Sequence, residues 1–305
     1  MGGCPNKDSE AKATEGDGMT VLIAGCGDLG TEAGLRFAAA GHRVIGWRHS
    51  PEKLPAQLEG AAVDLTGPLP EIPADTEIVV MATAAAERTE AAYRSAYVNA
   101  LANLLDAIER DGVRPRRVLF VSSTAVYGEN DGGEVDETTP ARATSATGRI
   151  LREAEELLHA RLPSAIVLRL GGIYGPGRTR LIDQVRQGTA VIPDPPRLTN
   201  RIHRDDAAAA IVHLTTAVEA PEQIYLGVDS EPAELGEVLR FLAAELDVPE
   251  PPKAAPAPSG RANTARGGDK RCSNSRLLAT GFRFRFPSFR EGYRSVLAGE
   301  GVRHP

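Results

Sequence analysis

Three features of the 305-residue sequence predict an α/β protein: a doubly wound parallel sheet followed by a smaller C-terminal lobe. Short apolar runs alternate with helical patterns over the first 170 residues. Most of these runs are apolar throughout, as strands covered on both faces must be. A glycine-rich turn, Gly25-Cys26-Gly27-Asp28-Leu29-Gly30, joins the first run to the first helical pattern.

The elements follow in order. Residues 1–18 are polar and Gly-rich with no apolar centre, so they read as a disordered arm and not as a secretory signal. Gly2 would suit acylation, but Asn6 lacks the hydroxyl that pattern requires. Strands are expected at 20–24, 43–47, 61–65, 77–82, 117–122 and 165–170. Between the fourth and fifth, Tyr93, Tyr97, Leu101, Leu104, Leu105 and Ile108 recur at helical spacing. After the fifth, Ile150, Leu151, Ala154, Leu157 and Leu158 do the same. A dinucleotide-binding domain over 19–170 and a substrate-binding lobe over 171–305 follow, with segments around 200–228 packing back on the sheet. Gly and Pro crowd 171–178, and Asp194-Pro195-Pro196 marks a turn. A helix capped near Asp205-Asp206 is expected through 207–214, a strand at 224–228 and a helix at 233–246. Five prolines make 249–258 a linker or surface wrap. The segment 274–297 holds two helices around Phe282-Arg283-Phe284-Arg285-Phe286, whose period of two suggests a half-buried strand with Phe inward.

Composition narrows the function classes. The three cysteines (Cys4, Cys26, Cys272) form no C-x-x-C pair, which excludes a disulfide scaffold and fits a reducing, cytoplasmic compartment. No apolar stretch is long enough for a membrane span. The formal charge of −6 hides a basic tail: from Lys253 onward 11 Lys or Arg face 3 Asp or Glu. Overall acidity argues against a nucleic-acid partner. The six histidines show no ligand spacing, so no metal is expected.

The glycine turn carries the clearest chemistry. Gly25 permits the tight turn, Gly27 lets the backbone approach a pyrophosphate, and Gly30 allows close helix–strand packing. Asp28 and Leu29 complete the turn, and the amides at the helix start then hold the phosphates. This marks the sheet as Rossmann-type. The tip of the second strand reads Trp47-Arg48-His49-Ser50, with no acid from His42 to Ser50. An Asp or Glu there would favour NAD, whereas Arg48 can fork onto a 2′-phosphate, so NADP is favoured over NAD. Asp64 is a candidate for the adenine or, equally, a turn cap, and Ala82 ends the fourth strand beside the cofactor.

Several separated segments resemble one family. Val121-Ser122-Ser123-Thr124-Ala125-Val126-Tyr127-Gly128 looks like the fifth-strand end of the extended short-chain dehydrogenase/reductases, the NAD-dependent epimerase/dehydratase group. Arg169 to Gly177 (RLGGIYGPG) resembles the turn that follows in that group, and Asn200 to Asp206 (NRIHRDD) its later helix start. Tyr97-Val98-Asn99 sits where the group has a helix Asn. The GCGDLG loop and the Lys270-Arg271-Cys272-Ser273-Asn274 tail are similar to an atypical, YeeZ-type branch.

The resemblance implies a catalytic Tyr-x-x-x-Lys pair and a Ser, the Tyr moving a proton while hydride moves to or from nicotinamide. Ser123 matches the substrate-orienting Ser. The Tyr position is held by Thr147 and the Lys position by Leu151, so the pair is absent. Tyr127, Tyr174, His203 and Arg149 are the candidate substitutes, with packing the alternative for the two tyrosines, a cap or turn for His203 and an anion anchor for Arg149. Arg149, Tyr174 and Arg201 are candidate substrate contacts, with Lys270, Arg271 and Arg276 as weaker ones. The expected ligand is a small molecule, anionic in one reading, and a homodimer is possible. The function expected is that of an NAD(P)-dependent oxidoreductase or epimerase. The alternative is a non-catalytic NAD(P)-binding redox sensor or regulatory protein.

Overall fold

Strand β1 (Thr20–Ala24) is buried at every position, and the computed structural model, which describes residues 18–255 and 268–305, is built around it. Six further strands lie parallel to one another and to β1: β2 (Arg43–Arg48), β3 (Glu59–Ala62), β4 (Thr76–Met81), β5 (Arg117–Ser123), β6 (Ile166–Leu170) and β7 (Ile224–Gly227). Their order across the sheet is β7-β6-β5-β4-β1-β2-β3. The order reverses between β1 and β4, so a crevice opens beyond their carboxyl ends.

Successive side chains of a strand face opposite ways, and β1 shows the result. Val21 and Ile23 pack with Leu29, Ala33 and Phe37 of α1 (Asp28–Ala39) and with Ala207, Ile211 and Leu214 of a helix over Arg204–Thr216. Leu22 and Ala24 pack the other way, against Leu101, Leu104 and Ile108 of α2 (Ala100–Arg110) and Ala154 and Leu158 of α3 (Ala146–Arg161). Four further helices of seven residues or more are described, α4 (Arg180–Arg186), α5 (Arg204–Thr216), α6 (Leu235–Glu245) and α7 (Phe289–Leu297), besides short ones at Glu90–Tyr93 and Ser275–Ala279. Helices α4, α6 and α7 enclose a third core around Ile182, Leu242 and Phe289. Through α5 and β7 the chain returns to the sheet, so the crevice is walled by both parts.

Four segments differ from the sequence expectation. Strand β3 runs from Glu59 to Ala62: the Val63 amide still donates to the Arg48 carbonyl, but Val63 and Leu65 then turn into the core under the sheet edge. The single helix expected through Tyr93 to Ile108 is interrupted by a π-helical turn over Arg94–Asn99, after which α2 begins. Residues 282–286 keep the alternation, with Phe282 and Phe286 buried and Arg283 and Arg285 exposed. They form no strand, because the amides of Arg285 and Phe286 donate to the Asp206 carboxylate at 2.8 and 2.9 Å. The helix expected at 233–246 begins at Leu235, since Ala233–Glu234 pairs antiparallel with Leu198–Thr199. Within the Pro-rich stretch, the Ile192 amide donates to the Pro252 carbonyl and the Ala254 amide to the Ile192 carbonyl, tying that part to the lobe. Residues 256–258 of that stretch, and residues 1–17 of the expected arm, lie outside the described residues.

Candidate functional site

The glycine turn sits at the carboxyl end of β1, and each glycine has its own physical reason. Gly25 has φ +83°, and a Cβ there would lie 2.9 Å from the Thr83 backbone. Gly30 lies so close to Ile23 and the Gly25 carbonyl that a Cβ would meet both at about 3 Å. A Cβ on Gly27 would meet nothing within 4 Å, so this glycine fronts open space. Gly27 is also the N-cap of α1, and no side chain caps the first-turn amides. A cradle that only a missing Cβ keeps open, at an uncapped helix start, suits a pyrophosphate.

Other residues singled out in the sequence fall around this crevice. Arg48 ends β2, half-buried, and its buried Nη1 has no hydrogen-bond partner among the described residues. Asp64 is exposed and accepts from the amide and hydroxyl of Thr66 at 2.9 and 2.7 Å, which holds its carboxyl below the usual range. The Ala82 amide donates to the Ala24 carbonyl, closing β4 against β1. Ser123 ends β5, and its Oγ accepts from the Ala125 amide at 3.2 Å. Thr147 lies half-buried in the first turn of α3, whose N-cap Ser145 accepts from the Gly148 amide. Leu151, one turn on, is 3% exposed and packs in an apolar cluster with Val126, Leu226 and Val228. Tyr93 and Tyr97 pack on the same cluster, and Thr83 Oγ1 donates to the Ala96 carbonyl of the π-helical turn.

Most of the remaining candidates are engaged in the interior. Tyr127 Oη donates to the Asp136 carbonyl and accepts from Arg169 Nη1, each at 2.7 Å, and burial pushes its pKa up to about 12. Arg169 also forks onto Glu155, which accepts from Ser122 Oγ as well. His203 is the N-cap of α5, its Nδ1 accepting from the Asp205 amide, and burial pushes its pKa down to about 4. That leaves it neutral near pH 7. Tyr174 stacks on Tyr293 at 4.5 Å between ring centroids, and Arg201 is buried beside it in the lobe. Arg149 is exposed on α3 and donates to the Thr144 carbonyl. Lys270 is buried and donates to the Tyr127 carbonyl, and Arg276 donates to the Ile224 carbonyl.

Two features escaped the sequence reading. The Asp28 carboxylate is not turned to a ligand: it accepts from Arg178 Nε, Arg204 Nη1 and the His304 amide. Those partners are 150, 176 and 276 residues away, so no local pattern announces them. Asp229 is buried with Oδ2 lacking a hydrogen-bond partner among the described residues, and burial pushes its pKa up to about 8. Among the described residues, no group of His, Cys, Asp or Glu is arranged to hold a metal, and no helix is long and apolar enough to cross a membrane.

Comparison with known proteins gives one consistent result. The model of the NAD dependent epimerase/dehydratase family matches residues 21–227. Protein YeeZ of Escherichia coli (strain K12) is 33% identical over 212 residues, which span 66% of this chain and 74% of that protein. A 3-diazoavenalumate denitrifying reductase of Streptomyces is 31% identical over 216 residues, 63% of this chain and 67% of its own. A solved structure from Methylobacillus flagellatus, reported under the name NAD-dependent epimerase/dehydratase, aligns at TM-score 0.74 and 38% identity over 92% of this chain and 98% of its own.

Proposed function

The chain belongs to the NAD dependent epimerase/dehydratase family, and on that premise we propose an NADP(H)-preferring oxidoreductase or epimerase acting on a small, anionic molecule. The observation that carries the reading is the Gly27 cradle at the uncapped start of α1, placed at the reversal of strand order. Residues 25–30 would hold the pyrophosphate, with Ala82 at the adjoining strand end. The buried Nη1 of Arg48 would find a charged acceptor in a 2′-phosphate, which supports NADP over NAD. When bound, the nicotinamide supplies or takes up a hydride.

The chain's own task is to orient the reacting oxygen and move its proton. Ser123, at the end of β5, would orient it, a role its position there supports. Thr147 is an alkanol and far less acidic than a tyrosine. Tyr127 is bonded on both sides of its hydroxyl, and His203 spends Nδ1 on its helix cap. Any proton therefore travels by a route other than a lysine-tuned tyrosine.

One observation favours a second reading, a non-catalytic NAD(P) sensor. Leu151 replaces the expected lysine with a buried apolar side chain and leaves nothing charged at that position. The two readings separate in a single experiment. NADPH and NADH are titrated against wild type and Arg48→Ala, and the protein is then incubated with carbonyls, alcohols and nucleotide sugars. NADPH binding weakened about tenfold by Arg48→Ala supports the cofactor assignment. Turnover abolished by Ser123→Ala supports the enzyme, and tight binding without turnover on any substrate supports the sensor.

A further inference from the structure

A cavity of about 600 Å³ lies beside the phosphate loop but apart from it, between the turn after Tyr174, helix α4 and the segment 299–305. That volume suits a small molecule. Its lining includes three guanidinium groups, from Arg178, Arg180 and Arg303, and a single carboxylate, Asp183. The carboxylate is already engaged: Oδ2 accepts from Thr179 Oγ1 at 2.6 Å, and Oδ1 lies 3.6 Å from Arg186, which is outside the cavity.

The guanidiniums are only partly used. Arg178 gives Nε to Asp28 and Arg303 gives Nη1 to the Gly177 carbonyl. Arg180 makes no hydrogen bond or ion pair with the described residues. Each guanidinium carries five N–H donors, so most of them are free to face a ligand. Asp28 offsets the charge of Arg178, which leaves Arg180 and Arg303 as the positive groups of the cavity without a carboxylate partner among the described residues.

Arg303 is also held in place. Gly177, at φ +64°, leaves room for its stem, which passes where a Cβ would be. The residues flanking it are pinned to the fold. The Val302 carbonyl accepts from Arg204 Nη2, the His304 amide donates to Asp28, and His304 Nε2 lies 2.9 Å from Glu32. A donor fixed before binding loses less freedom when the ligand arrives.

We propose that this cavity is a binding site for an oxyanion-bearing small molecule, a phosphate or a carboxylate, gripped by Arg178, Arg180 and Arg303. It adjoins the Gly25–Gly30 turn through the Arg178–Asp28 ion pair but is lined by none of its residues, and its test does not require the dinucleotide. The full chain is titrated calorimetrically with inorganic phosphate and, separately, with succinate. The same titrations are run on the Arg180→Ala/Arg303→Ala variant, and NADPH titration and thermal melting check that the variant is intact. Loss of two charged donors should weaken the bound anion at least tenfold while leaving the melting temperature and NADPH affinity unchanged. Whichever anion binds identifies the ligand's charged group as phosphate or carboxylate. Binding of neither anion up to tens of millimolar overturns the proposal. So does equal binding by wild type and variant, or competition with NADPH that the substitutions do not alter, which would place the anion in the phosphate loop.

Discussion

Replacing Gly27 by alanine separates a loop that binds a dinucleotide from a loop that merely turns. The new methyl meets nothing within 4 Å, and Gly27 has φ −85°, which alanine adopts freely. Folding stability should therefore be unchanged or rise by about 0.4–1 kcal/mol, since the unfolded chain loses freedom. Binding is another matter, because the methyl projects into the space a pyrophosphate would fill over the α1 amides. Losing one charge-assisted hydrogen bond there costs about 1.5–3 kcal/mol, or roughly tenfold to a hundredfold in affinity. Gly25→Ala is the counterpart. Its φ of +83° and the Thr83 backbone 2.9 Å away combine left-handed strain of about 1–2 kcal/mol with overpacking of about 1–3 kcal/mol. That variant should melt roughly 3–8 °C lower. Fluorescence titration with NADPH and a thermal melt read both quantities. If Gly27→Ala binds NADPH as tightly as wild type, the cradle holds no pyrophosphate and the cofactor assignment falls.

Three further outcomes follow from buried charge. Glu155→Gln breaks an ion pair whose side chains are each 5% exposed, and should cost about 3–5 kcal/mol in denaturant unfolding. Changing Glu155 and Arg169 together to methionine should recover much of that loss, and a double variant as unstable as the single one contradicts the account. Burial raises the Asp229 pKa to about 8 from an ordinary value of roughly 3.9, so across that window the folded protein keeps a proton the unfolded chain releases. Wild-type stability should thus fall as pH rises from about 4 to 8, and Asp229→Asn should remove that part of the decline, as melting temperatures across the range will show. Leu151→Lys, alone or with Thr147→Tyr, puts an ammonium into an apolar cluster and should cost about 3 kcal/mol or more, measured by chemical denaturation.

The sheet was legible because burial on both faces leaves continuous apolar runs, and β1, β2 and β4–β6 fall within a residue or two of them. The phosphate loop was legible because each glycine answers a local demand of backbone geometry. Features set by distant contacts were not. Asp28 looked like part of the loop, yet its carboxylate is claimed by Arg178, Arg204 and His304. The period of two at 282–286 reported correctly which side chains are buried, while Asp206 decided that their amides would not enter a ladder. Side-chain periodicity records which way residues face, and hydrogen-bond partners are a separate matter that it does not encode. The π-helical turn at Arg94–Asn99 has the same character, since its register change leaves the apolar spacing nearly intact.

The two positions at which the expected catalytic pair is missing show how much of the site was kept. A Cβ on Gly148 would strike the Ala125 carbonyl at 2.4 Å, so α3 begins hard against the turn that follows Ser123. That contact fixes the first turn of α3, which carries Thr147, with Leu151 one turn further on, whatever their side chains are. Behind them, Ser122, Glu155, Arg169 and Tyr127 form a buried network in which every charge is paired, a costly arrangement to retain unless the end of β5 must stay rigid. The scaffold around the reacting position is thus intact, and Leu151 is packed as a core residue with no room for an ammonium. Loss of the pair is accordingly a built feature of this site. On the proposed reading, the cradle and Ser123 would hold a nicotinamide and an oxygen side by side, with leucine filling the lysine position. If the proposed enzyme reading holds, proton transfer is the step that would need something other than a tuned tyrosine, and there its chemistry would depart from the pattern the family resemblance implied.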